Sequence, residues 1–347
     1  MARGARRYGE EDQEHYDRPR RRTRPRTKER PSYDDAVDGT VMRVDRGRLR
    51  VRLADRSADD PTVTAMKARP LGRKAVVVGD RVRLVGDVSG DDGTLARIVE
   101  VGERTTTLRR TADDDDPVER IVVANADQLV VVAALADPEP RARLIDRALV
   151  AAYDAGMDPL LCLTKADLAS PDELVATYRS LGVPWVVSRR GEDPAAVRDA
   201  LAGRVSVLVG PSGVGKSTLV NALVPGADRE TGGVNAVTGR GRHTSTQALM
   251  LPLPAADGAA PDEGRDGWIV DTPGIRSFGL AHVSPDDLLR SFPDLDEAAA
   301  DCSRGCDHSA EAPECGLDLA VAEGRVEPER VDSLRRLLAA RVRDAGD

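Results

Sequence analysis

A chain of 347 residues with 40% apolar residues and four cysteines is long enough for two or three cores and too cysteine-poor for a disulfide framework. No apolar run approaches the ~20 residues a membrane helix needs, and the Arg-rich start lacks the apolar stretch of a secretory leader, so a cytoplasmic protein with no membrane partner is expected. The formal net charge of −8 is segregated, with a basic excess up to about residue 110 and an acidic excess beyond it, which points to a polyanionic partner for the N-terminal third and argues against nucleic acid coating the whole molecule.

Residues 1–36 are Arg, Glu, Asp, Pro and Thr with almost no large apolar side chain. Such a segment cannot bury enough surface to offset its ordering entropy, and it is expected to be a disordered tail, either a solvated leader or an RNA-gripping arm. From Gly39 the pattern switches to period two. Leu49, Val51 and Leu53 alternate with Arg48, Arg50 and Arg52, which places apolar groups on one strand face and guanidiniums on the other. Similar stretches at 62–67, 80–85 and 95–101, parted by Gly, Asp and Pro turns, predict an OB-like barrel of five strands over residues 37–112. Barrels of this kind bind oligonucleotides; a merely soluble exterior is the alternative for its arginines.

After the acidic linker Asp113–Asp116 the composition becomes that of an α/β domain, expected over 117–283. Residues 129–135 and 160–164 read as buried strands, 141–155 as a helix, and 185–188, 205–209 and 268–270 as further parallel strands. Residues 254–267 read as a loop tip. Residues 284–347 form a third unit, whose helical tail carries Leu334, Leu337, Leu338 and Val342 on one face.

The strongest local signal is Gly210-Pro211-Ser212-Gly213-Val214-Gly215-Lys216-Ser217, followed by Thr218, between a strand and a helix pattern. In such a loop the glycines let backbone N–H groups turn onto phosphate oxygens, Lys216 neutralises their charge and the Ser217 hydroxyl serves magnesium. Thr164-Lys165-Ala166-Asp167 closes a buried strand. A carboxylate at Asp167 can accept from both guanine N1 and the exocyclic amine, a donor pair adenine lacks; a capping Asp is the plain alternative. Asp271-Thr-Pro-Gly274 ends another strand, which suits a water-mediated magnesium contact from Asp271 and a γ-phosphate-sensing N–H at Gly274. Between them, Gly239–Thr246 suits a mobile switch in which Thr244 or Thr246 completes the magnesium shell.

The order is unusual, because the base motif precedes the phosphate loop. A circular permutation leaves such a site intact when the old termini lie close together, and it puts Asp271 immediately upstream of the C-terminal unit. There Cys302, Cys306, His308 and Cys315 supply the donor set of a closed, structural zinc shell. Cys162 lies in an apolar strand and reads as core.

Permuted guanine motifs between a small barrel and a Cys3His cluster, together with Ala124-Asn-Ala-Asp-Gln128 and Gly241-Arg-His-Thr-Ser-Thr246, give a chain that resembles the small ribosomal subunit biogenesis GTPases over about residues 38–345. The resemblance implies GTP/GDP with Mg2+, one structural Zn2+, and a monomer acting late in 30S maturation. Its partners would be the 30S subunit, 16S rRNA and ribosome assembly factors, with hydrolysis stimulated by the particle. Three positions depart from the family pattern: Thr164 stands for the usual Asn, Ser188-Arg189 for Ser-Ala, and Cys302 and Cys306 are one residue closer. Ile275, just past the Asp-Thr-Pro-Gly motif, cannot orient a water, so slow intrinsic turnover is expected, aided by His243 or by groups of the partner. A P-loop ATPase or kinase, and an RNA-binding module holding GTP as a structural ligand, are the competing readings.

Overall fold

The computed structural model describes residues 33–45, 47–57, 60–71, 76–111, 119–227, 248–254, 267–272, 278, 280 and 282–341. The tail, the acidic linker, the loop tip, His243, Thr244, Thr246, Gly274, Ile275 and Val342 lie outside the described residues. Residues 35–347 belong to one compact unit.

The N-terminal strands are β1 (Val37–Asp45), β2 (Arg48–Leu53), β3 (Val63–Lys67), β4 (Arg81–Gly86) and β5 (Ala96–Val101). They run in the order β1-β2-β3-β5-β4, and β4 pairs back onto β1 to close a five-stranded barrel. Its core holds Leu49, Val51 and Leu53, the inward residues of the alternation, together with Val63, Leu84 and Ile98. The barrel closes at Val101, short of the expected 112. Strands β6 (Thr107–Thr111) and β7 (Glu119–Ala124) then form a hairpin of their own.

The second body is a sheet ordered β10-β9-β8-β11-β13-β12, built from β8 (Gln128–Ala134), β9 (Asp158–Thr164), β10 (Trp185–Val187), β11 (Val205–Val209), β12 (Leu249–Leu253) and β13 (Gly267–Asp271). All pairings are parallel except that of β12 with β13. Every residue of β8 is buried, as a strand covered on both faces must be. Leu129, Val131 and Ala133 face the core shared with α1 (Ala142–Asp154), α2 (Asp172–Arg179) and the C-terminal helices, whereas Val130, Val132 and Ala134 face α3 (Ala195–Leu201) and α4 (Lys216–Leu223). Strand β12 escapes a pattern reading because Pro252 breaks a five-residue run, and prolines normally argue against a central strand.

The C-terminal helices are α5 (Pro285–Leu289), α6 (Pro293–Ala298), α7 (Gly316–Ala322) and α8 (Pro328–Arg341). Helix α5 starts with a capping box between Ser284 and Asp287, which satisfies two backbone donors reciprocally. Helix α8 lies on α1 through Leu334, Leu337 and Leu338. Arg147 of α1 donates to the carbonyls of Phe278 and Ala340, each at 3.0 Å.

Among the described residues, barrel and sheet meet through backbone at two segments. The first is the segment 124–128. Asn125 sits at φ 55 and accepts from the Thr105 N–H at 2.9 Å while its amide donates to the Gly79 carbonyl at 2.9 Å. A Cβ on Gly79 would stand 2.0 Å from the Ala124 carbonyl oxygen, so only glycine permits this approach. Beside it the fully buried Asp80 receives Arg104 in a fork, at 2.7 and 2.8 Å; removing one partner of such a buried pair costs about 3–5 kcal/mol. Asp127 continues the buckle into the sheet by accepting from the Val205 N–H at 2.8 Å. The second meeting place is strand β1, which pairs with β12 at Arg43↔Leu249.

Candidate functional site

In a parallel sheet the strand C-terminal ends collect the ligand-binding loops. Strands β9 and β11 flank β8, so their loops emerge two strand spacings apart, roughly 10 Å, a span suited to the base and phosphates of one mononucleotide.

The phosphate loop follows β11. A Cβ at Gly210 would lie 2.4 Å from the Val132 carbonyl oxygen, so this glycine lets the loop start hard against β8. Gly213 and Gly215 turn the backbone at φ 85 and φ 95, and Gly215 caps α4 with no side chain on the helix's free N–H groups. Those donors are therefore open to an anion. The Lys216 ammonium donates to the carbonyls of Gly210 at 2.5 Å and Pro211 at 2.8 Å. Burial pulls it down to about 8, against the opposing pull of Asp271. Phosphate oxygens would supply the counter-charge this lysine lacks. Ser217 is partly buried and Thr218 exposed on the first turn of the helix.

Asp271 is buried at the end of β13, opposite Leu208 of β11. Thr272 fixes that register by donating to the Leu208 carbonyl at 2.8 Å. The buried Asp271 thus stands beside the root of the phosphate loop.

The base motif leaves β9. The Thr164 hydroxyl is 2.5 Å from the Val214 carbonyl and 3.4 Å from that of Ala133. A hydroxyl has one proton to give, and the shorter contact takes it. Thr164 therefore ties the base motif to the phosphate loop. Lys165 adopts φ 57 and donates to the Asp137 carbonyl. Ala166 N–H points at the Ser188 carbonyl at 3.4 Å, so the loop after β10 abuts the motif as expected. Asp167 is exposed, its Oδ1 3.5 Å from the Arg190 N–H, which leaves the carboxylate accessible to a base.

In the C-terminal segment, single donor atoms of Cys302, Cys306, His308 and Cys315 all lie within 4.8 Å of one another. Cys302 Sγ is 3.9 Å from Cys315 Sγ and 3.6 Å from His308 Nδ1. A tetrahedron with zinc–sulfur bonds of about 2.3 Å has sulfur–sulfur edges of about 3.8 Å, so the donor set fits zinc despite the tighter Cys302–Cys306 spacing. The Gly316 N–H donates to Cys302 Sγ at 3.0 Å, and the outer nitrogen of His308 lies 3.8 Å from Asp286, the carboxylate position that orients a metal-bound histidine. Burial first, then the neighbouring thiols, push Cys302 up to about 11; a cation would relieve this. Cys162, by contrast, is fully buried in β9 and is pushed up to about 12 by that burial.

Sequence reasoning missed the work of Arg52 and Met42. Arg52 turns from the row of exposed arginines to lie 4.8 Å from the ring centroid of Trp268 in β13, while Arg48 and Arg50 stay exposed. Met42, at a register shift in β1, points out of the barrel into the core of the second body. Period two hides Met42, because a β-bulge re-aims a side chain without changing composition, and it hides Arg52 because alternation gives a face and not the partner on it.

A phosphate loop, a guanine-type motif and a strand-end carboxylate gathered on one sheet edge in permuted order, behind a barrel and before a Cys3His cluster, define a circularly permuted P-loop nucleotide-binding protein. The RsgA GTPase family model matches residues 101–281. The chain is 45% identical over 228 residues to the small ribosomal subunit biogenesis GTPase RsgA of Pseudomonas aeruginosa, covering 63% of this chain and 64% of the relative. It is 40% identical to the same-named protein of Ectopseudomonas mendocina, covering 78% and 76%. The chain belongs to the RsgA GTPase family. Among solved structures, YjeQ from Thermotoga maritima shares the fold at TM-score 0.62 with 24% identity, over 88% of this chain and 98% of that one. YloQ, a circularly permuted GTPase, does so at TM-score 0.61 with 23% identity, over 89% and 96%.

Proposed function

We propose that the protein hydrolyses GTP to GDP and phosphate in the late maturation or checking of the 30S ribosomal subunit. The carrying observation is the hydrogen bond from Thr164 to Val214, which ties the guanine motif to the phosphate loop as one site. Membership of the RsgA GTPase family and the names of the Pseudomonas relatives support the reaction and the ribosomal setting. No helix among the described residues is long and apolar enough to cross a membrane, in keeping with a cytoplasmic role.

In this reading Asp167 selects guanine, with the Ser188 loop beside it. The loop from Gly210 to Ser217 wraps the phosphates, Lys216 neutralises charge that builds between them, and Thr218 extends the open helix turn. Ser217, one of Thr244 or Thr246, and Asp271 through water would hold Mg2+, and Gly274 would sense the γ-phosphate. The Cys3His cluster would hold one Zn2+ and fix the chain between α6 and α7. The barrel, with Arg48 and Arg50 on its exposed face, would contact 16S rRNA.

Co-sedimentation with purified subunits tests partner and switch together. Pelleting with 30S is expected in the presence of a non-hydrolysable GTP analogue and release with GDP; preference for 50S, or indifference to the nucleotide, contradicts the role. His243 is proposed to position the attacking water. Single-turnover assays of His243→Ala should show stimulated hydrolysis slowed about 100-fold, within the range of general acid–base contributions. An unchanged stimulated rate takes His243 out of the chemistry.

A further inference from the structure

We infer that Trp268 is a positioning residue for GTP hydrolysis: by carrying Arg52 of the barrel on its ring, it registers the strand ending in Asp271 against the barrel, so the seating of the barrel sets where that carboxylate stands. The inference rests on the proposed function, in which Asp271 serves magnesium and the barrel grips RNA.

The sheet pairings carry it. Arg43 of β1 pairs with Leu249, Leu249 with Asp271, and Asp271 with Leu208, and Leu208 lies two residues before Gly210. One rung across four strands therefore joins the barrel, the carboxylate and the root of the phosphate loop. Strands resist stretching along this direction because each step is a hydrogen-bonded ladder with a fixed spacing of about 4.8 Å. A displacement of β1 is passed along the rung rather than absorbed.

The other end of β13 supplies the second anchor. Trp268 faces Pro252 of β12 and Val205 of β11, and its N–H donates to the Arg204 carbonyl at 2.7 Å. Arg52 Cζ lies 4.8 Å from the Trp268 ring centroid, and the guanidinium is aimed there by its bond to the Arg56 carbonyl at 2.9 Å. Met42, buried in the same core as Met250, pins the seam between these two anchors. Arg48 and Arg50 of the same strand are exposed, so a polyanion drawn to them bears on the strand whose Arg52 meets the Trp268 ring.

The consequence concerns rate rather than binding. A misplacement of about 1 Å in a reacting site costs on the order of 100-fold in rate, so a shift of part of that distance reaching Asp271 along the rung would cost about tenfold.

The test uses the full chain with 30S subunits as the probe. Trp268→Leu should leave the Kd for GTP within about twofold of wild type and the Kd for 30S within about threefold. Its 30S-stimulated kcat should fall about tenfold without a matching rise in KM. Trp268→Phe, which keeps a ring under Arg52, should restore most of that loss, whereas a merely structural role would move the melting temperature and every parameter together. Arg52→Gln, which empties the ring of its cation, gives a second route should the leucine variant fold poorly, with the same fall in stimulated kcat expected. Stimulated rates within twofold of wild type in both variants overturn the inference while leaving the functional reading intact. A wild-type protein that 30S does not stimulate removes that reading, and the inference with it.

Discussion

Asp167→Asn should weaken GTP binding by at least about 100-fold and turn the protein toward xanthine nucleotides, measured as Kd by fluorescence titration with GDP, XDP and ADP. The exposed carboxylate at the end of β9 offers two acceptors to the two guanine donors, and charge-assisted hydrogen bonds contribute about 1.5–3 kcal/mol each. An amide keeps one acceptor and presents a donor to a donor, which leaves an unpaired polar group in the complex. Xanthine carries an oxygen where guanine has its amine, so the same amide fits it. The phosphate half of the site is untouched: Thr164 still ties to Val214 and Lys216 still faces the loop carbonyls. ADP affinity should therefore stay as low as in the wild type. Equal affinity of the wild type for GDP and ADP would return the ATPase or kinase reading to first place.

Removing zinc is expected to have the next largest effect. The purified protein should carry one zinc per chain by elemental analysis, and either a strong chelator or Cys315→Ser should expose residues 302–316 to hydrogen exchange. Structural zinc contributes many kcal/mol of folding free energy in small domains, and a protein of this size loses roughly 2–4 °C of Tm per kcal/mol. A drop of at least about 10 °C is the expected reading. The loss should be local at first, because α8 is held independently by its apolar face on α1 and by Arg147, which donates to the Ala340 carbonyl. Protein free of metal as purified, with the same melting temperature before and after chelation, would reduce the cluster to unliganded thiols.

Much of the candidate site was legible in order along the chain. The phosphate loop, Thr164–Asp167 and Asp271 stand at strand ends where motif and apolar run agree, and the structure brings Thr164 to Val214 and Asp271 to Leu208. The Cys3His cluster was legible from residue type alone, since thiols crowded into fourteen positions of a cysteine-poor chain point to a shared site. The use of ordinary residues stayed hidden. Asn125 and Asp127 stood in a recognisable segment with no evident task; their partners, Gly79, Thr105 and Val205, are 20 to 78 positions away.

By itself the sequence determined the barrel strands and the parallel strands of the sheet, though not β12 or the β6–β7 hairpin, because period two and unbroken apolar runs report burial on one or two faces. It also determined that a phosphate loop and a guanine motif are present, because those loops need particular residues at fixed local spacing. Only the tertiary structure decided that the barrel closes at Val101, that β12 bridges barrel and sheet through Arg43 and Leu249, and that Arg52 leaves the charged row for Trp268. Pairing across strands depends on where distant segments come to lie, and a local pattern of hydrophobicity carries no record of its partner.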